Sequence, residues 1–364
     1  MWYNTAAAKI LGSQYPIMQG PFGGGLSSVK LTATVSNLGG VGGYGVYTLE
    51  PDEIVRVNND LRKATSKTYN INLWVSDTDS VPGNIINERF ENTKALFHHY
   101  FDELGIGVPD KPIVQASQYE NQVQTILDIR PPVFSFSFGI PSADILDQCR
   151  KKSIVTAGSA TTLDEALALE AAGVDLIIAS GFEAGGHRPS FLAPAESSLV
   201  GSFVLVQQIK DRVRIPVIAA GGIANGKGIA AALALGADGV QIGTAFLACE
   251  ESAAPLFHRD LLFSDAAKYT VLSRAFTGRL GRGLVNRITG EMNDKEKDFL
   301  PFPSQSRFTG SFREAAINRK KWELIFVWGG QIASVLKHRK AADLMNSLVE
   351  EANAYHAQSP MLKD

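Results

Sequence analysis

Two short apolar segments joined by one small helix, within residues 215–246, limit the fold of this chain more than any other part of the sequence. Residues 215–220 (IPVIAA) and 237–244 (ADGVQIGT) each combine an apolar centre with proline or glycine boundaries, as parallel strands buried on both faces do. Between them, residues 226–235 are small and apolar, and Gly236 offers the left-handed conformation that ends many helices. This order predicts a strand, a helix and a strand of a parallel sheet or barrel.

Both predicted strands end in glycine, the first at Gly221-Gly222 and the second at Gly243. Glycines let a ligand approach the backbone closely and expose N–H groups that can donate to it. In (β/α)8 barrels the loops after strands 7 and 8 are a recurrent phosphate site. A single glycine pair would indicate only a turn, whereas glycines at two consecutive strand ends predict a phosphate-binding site.

The rest of the chain alternates short apolar segments with helical patterns, which predicts a parallel α/β fold. Eight strands are expected, at residues 15–19, 39–47, 69–74, 132–139, 153–160, 175–181, 215–220 and 237–244. The predicted fold class is therefore α/β, a (β/α)8 TIM barrel with a small, mainly helical insertion after strand 8. We expect the barrel to comprise residues 1–250 and 321–364, and residues 251–320 to form a helical lid on the substrate side.

Two further segments carry predicted helices outside the regular alternation. Residues 75–130 are longer than one strand-to-strand crossing needs, and they contain an amphipathic helix followed by a second helix at residues 115–127. Near the end of the chain, residues 332–356 are predicted to form a terminal helix that packs back on the barrel.

Composition and charge narrow the class of protein. The 364 residues are 45% hydrophobic and 20% charged, with a net charge of -2, which is typical of a soluble enzyme with one large core. The absence of a basic stripe argues against nucleic-acid binding. Neither a signal peptide nor an apolar window of about 18 residues is present in the sequence. We therefore expect a cytoplasmic protein that binds neither nucleic acid nor membrane.

Cysteine and histidine usage predicts no metal site. Cys149 and Cys249 are too few and too distant in sequence for a disulfide framework or a zinc site, so both are expected in the core. His98 and His99 fall on a predicted helix, where adjacent side chains point about 100° apart. Such a pair cannot ligate one ion well.

Polar and glycine-rich residues at other predicted strand ends are candidates for ligand binding. The run GPFGGG, residues 20–25, follows the first strand and either accommodates a planar ligand against the backbone or forms a flexible turn. Asn72 lies near the carboxyl end of the third strand, the end at which barrels hold their ligand-binding side chains.

The sixth predicted strand leads into GFEAGGHRPS, residues 181–190, which carries His187 and Arg188. His187 is either a loop histidine bonded to backbone or, after a glycine pair on the catalytic face of the barrel, a proton acceptor near physiological pH. Arg188 is either a surface ion-pair partner or a substrate contact.

Three motifs together resemble one enzyme family. EAGGHR, AAGGI followed by GADGVQIGT, and FTGRLGRGLVN at residues 276–286 are similar to the nitronate monooxygenases, formerly called 2-nitropropane dioxygenases, which are FMN-dependent (β/α)8 barrels. The resemblance extends from PIMQGP near the start to WGGQ at residues 328–331. Flavin-dependent enoyl-acyl-carrier-protein reductases have a similar barrel and a loop like EAGGH.

This resemblance implies an activity and a set of site residues. The activity is the oxidation of alkyl nitronates, such as propionate 3-nitronate, with O2 to carbonyl compounds and nitrite. The implied catalytic base is His187, which takes the α-proton of a neutral nitroalkane. The implied FMN-binding residues are Met18, Gln19, Gly20, Asn72, Ser180, Gly185, Gly221, Gly222, Gln241, Gly243, Thr244 and Gln331, of which Gly222, Gln241, Gly243 and Thr244 hold the phosphate.

The chain departs from the family pattern at three places that bear on substrate choice. Many relatives have Gln where this chain has Ser180, and HRG where it has HRPS. Relatives often have Tyr-Pro where this chain has Phe302-Pro303, so Phe302 replaces an aromatic hydroxyl.

Two other functions stay open at this point. The first is an FMN-dependent enoyl-acyl-carrier-protein reductase that uses reduced nicotinamide, and the second is a flavin- or phosphate-binding sensor without catalytic activity. The sequence also leaves open the physiological substrate, the use of neutral nitroalkanes and the oligomeric state.

Overall fold

The computed structural model of the chain describes residues 1–75, 83–113 and 117–358. Within these residues the strands are β1 (Ile17–Gln19), β2 (Gly42–Gly45), β3 (Tyr69–Trp74), β4 (Val133–Ser137), β5 (Val155–Ala160), β6 (Leu176–Ser180), β7 (Gly186–His187), β8 (Val217–Ala220), β9 (Gly239–Ile242), β10 (Thr270–Ser273) and β11 (Gly281–Leu284).

Eight of these strands form a barrel. They pair in parallel in the order β1-β9-β8-β6-β5-β4-β3-β2. Val41, next to β2, closes the ring, because its N–H donates to Ile17 O at 2.9 Å while its carbonyl accepts from Gln19 N at 2.8 Å. The predicted (β/α)8 TIM barrel is therefore confirmed, and each predicted strand contains an observed one.

Helices alternate with the strands along the chain. They are α1 (Ala6–Leu11), α2 (Val29–Asn37), α3 (Pro51–Ala64), α4 (Gly83–Glu103), α5 (Tyr119–Ile129), α6 (Ala143–Lys151), α7 (Leu163–Ala171), α8 (Ser202–Lys210), α9 (Gly226–Ala234), α10 (Thr244–Leu247), α11 (Leu256–Leu262), α12 (Arg287–Glu291), α13 (Ser304–Asn318) and α14 (Ala341–Gln358). Short 3-10 turns lie at Ala195–Ser197, Asp265–Lys268, Glu296–Asp298, Trp322–Leu324 and Gln331–Val335.

Polar side chains begin many of the barrel helices. Ser28, Ser142, Thr162 and Asn225 each accept a hydrogen bond from a backbone N–H in the first turn of the helix that follows. These N-caps satisfy donors that a helix start otherwise leaves unpaired. These four crossing helices therefore each start at a defined residue after the preceding strand.

A second hydrophobic core lies outside the barrel. In it, α4 contributes Phe90, Phe97 and Phe101, which pack against Phe308 and Phe312 of α13. Residues 322–326 join the same core. Helix α4, expected as part of a crossing between strands 3 and 4, thus packs on the lid of residues 251–320. The division of the chain at residues 250 and 320 stays a prediction.

A three-stranded sheet links this lid to the barrel. β10 pairs antiparallel with β11, and β11 pairs antiparallel with β7, so that Gly281 lies opposite His187. The sequence pattern predicts a mainly helical segment after strand 8 and does not locate these strands. The motif FTGRLGRGLVN was recognised from its resemblance alone, because strands of two to four residues show little alternation.

Two helix boundaries differ from those predicted. The terminal helix was expected at residues 332–356, but a 3-10 turn at Gln331–Val335 precedes α14, which begins only at Ala341. The predicted helix at 115–127 is observed as α5, Tyr119–Ile129, and its first two predicted residues lie outside the described part of the chain. The spacing of apolar residues in the sequence predicts helix ends poorly, because a 3-10 turn can continue that spacing without the i to i+4 hydrogen bonds of an α-helix.

Cys149 and Cys249 are both fully buried with free thiols, as predicted for core residues. Among the residues that the structure describes, no helix has both the length and the hydropathy that crossing a bilayer requires.

Candidate active site

A continuous chamber of about 1040 Å³ lies between the carboxyl ends of the barrel strands and the lid. This volume is at the upper end of the range of about 300–1,000 Å³ typical of small-molecule sites. The chamber therefore has room for a cofactor and a substrate together.

The two sides of the chamber differ in chemistry. We name the barrel side the barrel floor, which comprises Gly20, Asn72, Ser135, Ser137, Ser159, Ser180, Gly221, Gly222, Gln241, Gly243 and Thr244. We name the opposite side the lid wall, which comprises Ile86, Phe276, Thr277, Phe302, Phe326 and Trp328. His187 lies between them on β7.

Most of the residues predicted to bind the cofactor line this chamber. They are Gly20, Asn72, Ser180, Gly185, Gly221, Gly222, Gln241, Gly243 and Thr244. Residues from separate strands thus converge on one space, as the carboxyl ends of barrel strands are expected to do.

Three predicted residues do not line the chamber. Met18 is fully buried and packs in a cluster with Val41 and Ile178 inside the barrel. Gln19 is also fully buried, and its side chain accepts from Gly43 N at 2.9 Å and donates to the carbonyl of Gly20. The side chain of Gln331 is exposed, and its backbone N–H donates to Glu183 O at 3.0 Å.

Glycines shape the part of the floor after β8 and β9. Gly221 and Gly222 have φ angles of +102° and +73°, a region that side chains rarely adopt. A Cβ added at Gly243 would meet nothing closer than a ring carbon of Phe22 at 4.0 Å. The structure itself therefore does not require glycine at position 243, although a side chain there would occupy part of the chamber.

Gln241 presents an unsatisfied polar atom beside these glycines. Its Oε1 is buried and has no hydrogen-bond partner among the described residues. Because a buried amide oxygen without a partner costs free energy, this atom indicates a ligand that donates a hydrogen bond at the floor.

His187 is held by the lid wall. Its Nε2 lies 2.8 Å from Thr277 Oγ1, and its ring lies 4.7 Å from the ring of Trp328 and 5.2 Å from that of Trp74. Pairing of β7 with β11 positions the backbone of the histidine. The ring therefore has a fixed orientation at the edge of the chamber.

The environment of His187 favours the neutral imidazole. The part of the ring that is exposed lines the enclosed chamber. Burial, followed by the positive charge of Arg279, lowers the pKa of His187 from 6.5 to about 3. At neutral pH the ring is therefore uncharged and has one nitrogen lone pair available to accept a proton.

Comparison with known proteins identifies the family. The sequence model described as nitronate monooxygenase matches residues 4–351. The chain belongs to the nitronate monooxygenase family. It is 38% identical over 354 residues to a probable nitronate monooxygenase of Staphylococcus aureus (strain Newman), an alignment that covers 97% of this chain and 98% of that protein.

Solved structures agree with this membership. A nitroalkane oxidase from Streptomyces ansochromogenes matches with a TM-score of 0.88 and 32% identity over 98% of this chain and 100% of that one. FabK from Thermotoga maritima matches with a TM-score of 0.75 and 25% identity over 98% of both chains. The resemblance inferred from the motifs is thus confirmed, and this nitronate monooxygenase family member is an oxidoreductase.

Arg188 has neither of the roles considered for it from the sequence. Its side chain is buried and does not line the chamber. It donates to three backbone carbonyls, those of Gly181 at 2.6 Å, Ser198 at 2.9 Å and Ser180 at 3.1 Å. The arginine therefore fixes the loop that leads from β6 to His187.

Several chamber residues were missed by sequence reasoning. On the floor, Ser135 accepts from Asn72 Nδ2 at 2.9 Å, and Ser137 lies 3.1 Å from Ser159. The alternation FSFS in β4, with serines at every second position of a buried strand, could have indicated them. Nothing in the sequence placed Thr277 beside His187, because 90 residues separate them.

The histidine pair on α4 is engaged by carboxylates. His98 Nδ1 lies 2.7 Å from Asp102, and His99 Nε2 lies 3.2 Å from Glu291. The two rings therefore have separate acidic partners on the surface. Among the described residues, no group of three or more histidine, cysteine or acidic side chains is arranged to hold a metal ion.

Proposed function

We propose that this chain is an FMN-dependent nitronate monooxygenase that oxidises alkyl nitronates with O2 to carbonyl compounds and nitrite. The observation that carries the proposal is the continuous chamber, which joins the glycine-lined ends of β8 and β9 to His187. A phosphate-bearing cofactor and a small anion can thus lie in one continuous space.

The floor residues fit the phosphate end of FMN. The open space beside Gly243 would accept a phosphate, and the positive φ angles of Gly221 and Gly222 let their backbone approach it. Gln241 Oε1 offers an acceptor without a partner to a hydroxyl or N–H group of the cofactor rather than to its phosphate, whose oxygens also accept, and Asn72 lies further along the floor. When bound, FMN supplies the electron transfer between nitronate and oxygen.

Hydrogen bonding at Thr277 assigns the proton positions on His187. Thr277 Oγ1 donates its only proton to Arg279 O at 3.0 Å and accepts from Arg279 N at 3.3 Å. The bond to His187 is then donated by Nε2–H. The neutral ring accordingly carries its lone pair on Nδ1, which is the atom we assign as proton acceptor.

His187 has different tasks with the two forms of substrate. With a neutral nitroalkane, Nδ1 accepts the α-proton, and the anion that forms stabilises the imidazolium by charge. With a preformed nitronate no proton has to be removed, and the ring only positions the anion. The aromatic rings of Trp74, Phe302 and Trp328 exclude water around this step.

Oxygen uptake tests the proposal directly. Purified protein reconstituted with FMN should consume O2 and release nitrite when given propionate 3-nitronate. Mass spectrometry of the released chromophore should give FMN, because the floor offers one phosphate site. Recovery of FAD, or no oxygen uptake with any nitronate, would contradict the proposal.

A reductase acting on enoyl thioesters is the alternative that FabK similarity supports. It predicts rapid anaerobic oxidation of reduced nicotinamide and turnover of an enoyl thioester. Measuring both reactions on the same preparation separates the two functions.

A further inference from the structure

The chamber extends along one face of helix α13. Arg307, Gly310 and Arg313 all line it, and their spacing of three residues places them on the same face of the helix. At about 1.5 Å of rise per residue, this face is roughly 9 Å long. We name this part of the chamber the α13 arm, which comprises these three residues and Phe276, Leu324 and Ile325.

The residues of the α13 arm that come from outside the helix are apolar. Phe276, Leu324 and Ile325 belong to the second hydrophobic core, to which α13 itself contributes Phe308 and Phe312. A ligand that lies in the arm therefore contacts aromatic and aliphatic groups. Contacts of this kind favour a hydrocarbon group, since they remove apolar surface from water.

A short series of contacts connects the α13 arm with His187. Thr309 Oγ1 donates to Phe276 O at 2.7 Å, and the hydroxyl of the next residue, Thr277, lies 2.8 Å from His187 Nε2. Gly310 directly follows Thr309 in the helix. The arm is therefore held at a defined position relative to the histidine ring, and both line the same continuous chamber.

Gly310 is a glycine that neither the backbone nor the packing of the described residues requires. It lies inside α13 and is not one of the glycines with a positive φ angle. Glycine inside a helix costs stability relative to alanine. A Cβ at this position would meet nothing within 4 Å among the described residues. What the glycine does in this structure is leave the α13 arm open.

Other glycines in helices show why position matters. A Cβ at Gly226 of α9 would overlap Glu351 of α14, so close packing of two helices explains that glycine. A Cβ at Gly290 of α12 would meet open space, as at Gly310, but Gly290 does not line the chamber. Gly310 combines the open space with a place in the chamber lining, and Gly290 is its natural control.

The two arginines of the α13 arm do not call for a second charged group on the ligand. Arg307 is already engaged within the protein, and Arg313 is exposed, so that water can solvate its charge. Long arginine side chains lay their methylene groups along apolar surface while the guanidinium stays in water. Because the two arginines lie one turn before and one turn after Gly310, the glycine leaves a gap between them.

We propose that the α13 arm binds the hydrocarbon chain of the substrate, and that Gly310 determines how long a chain the protein accepts. This inference rests on the proposed function, since it places the reacting end of the nitronate at His187. It assigns nitronates with a long, unbranched alkyl chain as preferred substrates over the shortest members of the class.

The first part of the test varies the length of the substrate. The series consists of the nitronates of nitroethane, 1-nitrobutane, 1-nitrohexane and 1-nitrooctane, which differ only in methylene groups. For wild-type protein, kcat/KM should be about tenfold or more higher with the hexyl than with the ethyl nitronate, because each methylene group adds buried apolar surface. The gain should come mainly from a lower KM.

The second part of the test fills the gap at position 310. Gly310→Leu should lower kcat/KM for the hexyl and octyl nitronates by about tenfold or more, through KM, because its side chain takes the place of the substrate chain. With the ethyl nitronate, kcat/KM should stay within about twofold of the wild-type value, and Gly310→Ala should lie between the two proteins. Neither variant should lower the urea midpoint, because alanine and leucine favour the helix more than glycine does.

Gly290→Leu is the matched control, since it introduces the same side chain into open space on another helix. This variant should keep the wild-type dependence of kcat/KM on chain length. The same length-dependent loss in Gly290→Leu as in Gly310→Leu would overturn the assignment of Gly310.

The remaining outcomes separate this inference from the proposed function. If wild-type protein oxidises the ethyl nitronate at least as efficiently as the hexyl nitronate, or if Gly310→Leu lowers kcat/KM by the same factor at every chain length or not at all, the hydrocarbon subsite is overturned while the proposed function stands. If wild-type protein loaded with FMN oxidises no nitronate of any length, the proposed function fails, and the subsite fails with it.

Discussion

The barrel floor and the lid wall enclose the same chamber, yet they are built in different ways. Floor residues are glycine, serine, threonine, asparagine and glutamine at or just after the ends of successive strands, each placed by the barrel. Lid wall residues are mostly aromatic and come from segments far apart in sequence, such as Ile86 on α4, Phe276 before β11 and Trp328 after α13.

This difference indicates a division of tasks. A repeated strand end can present backbone N–H groups to a cofactor in the same way throughout a family, because the fold fixes its position. A wall assembled from loops and one inserted helix can vary without disturbing the barrel. We therefore expect floor variants to change cofactor affinity and lid wall variants to change substrate kinetics.

The largest effect is expected at His187, where the two regions meet. His187→Asn should lower kcat/KM for a neutral nitroalkane by about 10²- to 10⁴-fold, since it removes the general base. The loss should be smaller with the preformed nitronate, and FMN affinity should stay at the wild-type value. Oxygen uptake at matched pH with both substrate forms measures this contrast.

His338→Asn, in a residue outside the chamber lining, is the control for this variant. Equal losses with the neutral and anionic substrates would show that His187 does not act as a base. A loss of FMN binding would show that the histidine belongs to the cofactor side.

The next largest effect is expected on the floor, at Gly243. Gly243→Val should raise the Kd for FMN by about 10- to 100-fold, because the side chain would fill the space assigned to the phosphate and cost charge-assisted hydrogen bonds. The variant should still fold, since φ at this position is negative and an added Cβ meets nothing closer than 4.0 Å. Fluorescence titration of FMN into apoprotein gives the Kd.

Gly290→Val is the matched control for the floor variant, because a Cβ at Gly290 also meets open space and the residue lies outside the chamber. Unchanged FMN affinity in Gly243→Val would place the phosphate elsewhere and remove the main support for the division between floor and wall.

Sequence reasoning brought most floor residues to the chamber for a physical reason. Buried parallel strands that end in glycine give a local pattern within a few residues, as at Ala219–Gly222 and Val240–Gly243. Barrel geometry then brings these local patterns together without further information. Each of the eight predicted strands accordingly contains an observed one, and nine of the twelve residues predicted to bind the cofactor line the chamber. Their role in cofactor binding stays a prediction.

The lid wall could not be predicted in this way. Thr277 meets His187 only because β11 pairs with β7, and neither strand is long enough to show a pattern. Gln19 and Met18 show a second limit of prediction from strand ends. Both residues lie near the expected end of β1, but their side chains are buried in the protein and not in the chamber. The position of a residue along its strand predicts how close the residue lies to the carboxyl end of the barrel. The side of the strand to which its side chain points depends on the register of the strand, which the sequence pattern did not specify here.

A smaller effect is expected at Thr277, which tests whether the lid wall orients the catalytic ring. Thr277→Val should lower kcat for a neutral nitroalkane by about tenfold, because Nε2–H of His187 loses its acceptor and the tautomer is no longer fixed. Thr277→Ser, which restores the hydroxyl, should recover most of the activity. An unchanged kcat in Thr277→Val would show that this contact is structural only.

The smallest expected effect concerns the stability of the folded chain below neutral pH. It tests how a buried histidine supports Trp328 of the lid wall. His258 of α11 is buried and lies 2.9 Å from Trp328 O, to which its Nε2–H donates. Burial lowers the pKa of this histidine to about 4, with a further contribution from Arg313. The folded chain therefore holds His258 neutral, like His187.

Neutral buried histidines make the folded state less stable as the pH falls. Between 6.5, the pKa of an unperturbed histidine, and about 4, the unfolded chain binds a proton at position 258 that the folded chain does not. The urea midpoint should thus fall from pH 7 to pH 5, and His258→Gln, which keeps a donor for Trp328 O, should make that fall shallower. The His338→Gln variant, which also removes one histidine, is measured under the same conditions as the control. If the urea midpoint of His258→Gln falls with pH as steeply as that of the wild type, the fold does not hold His258 neutral. The position of Trp328 on the lid wall would then not depend on a hydrogen bond from an uncharged histidine.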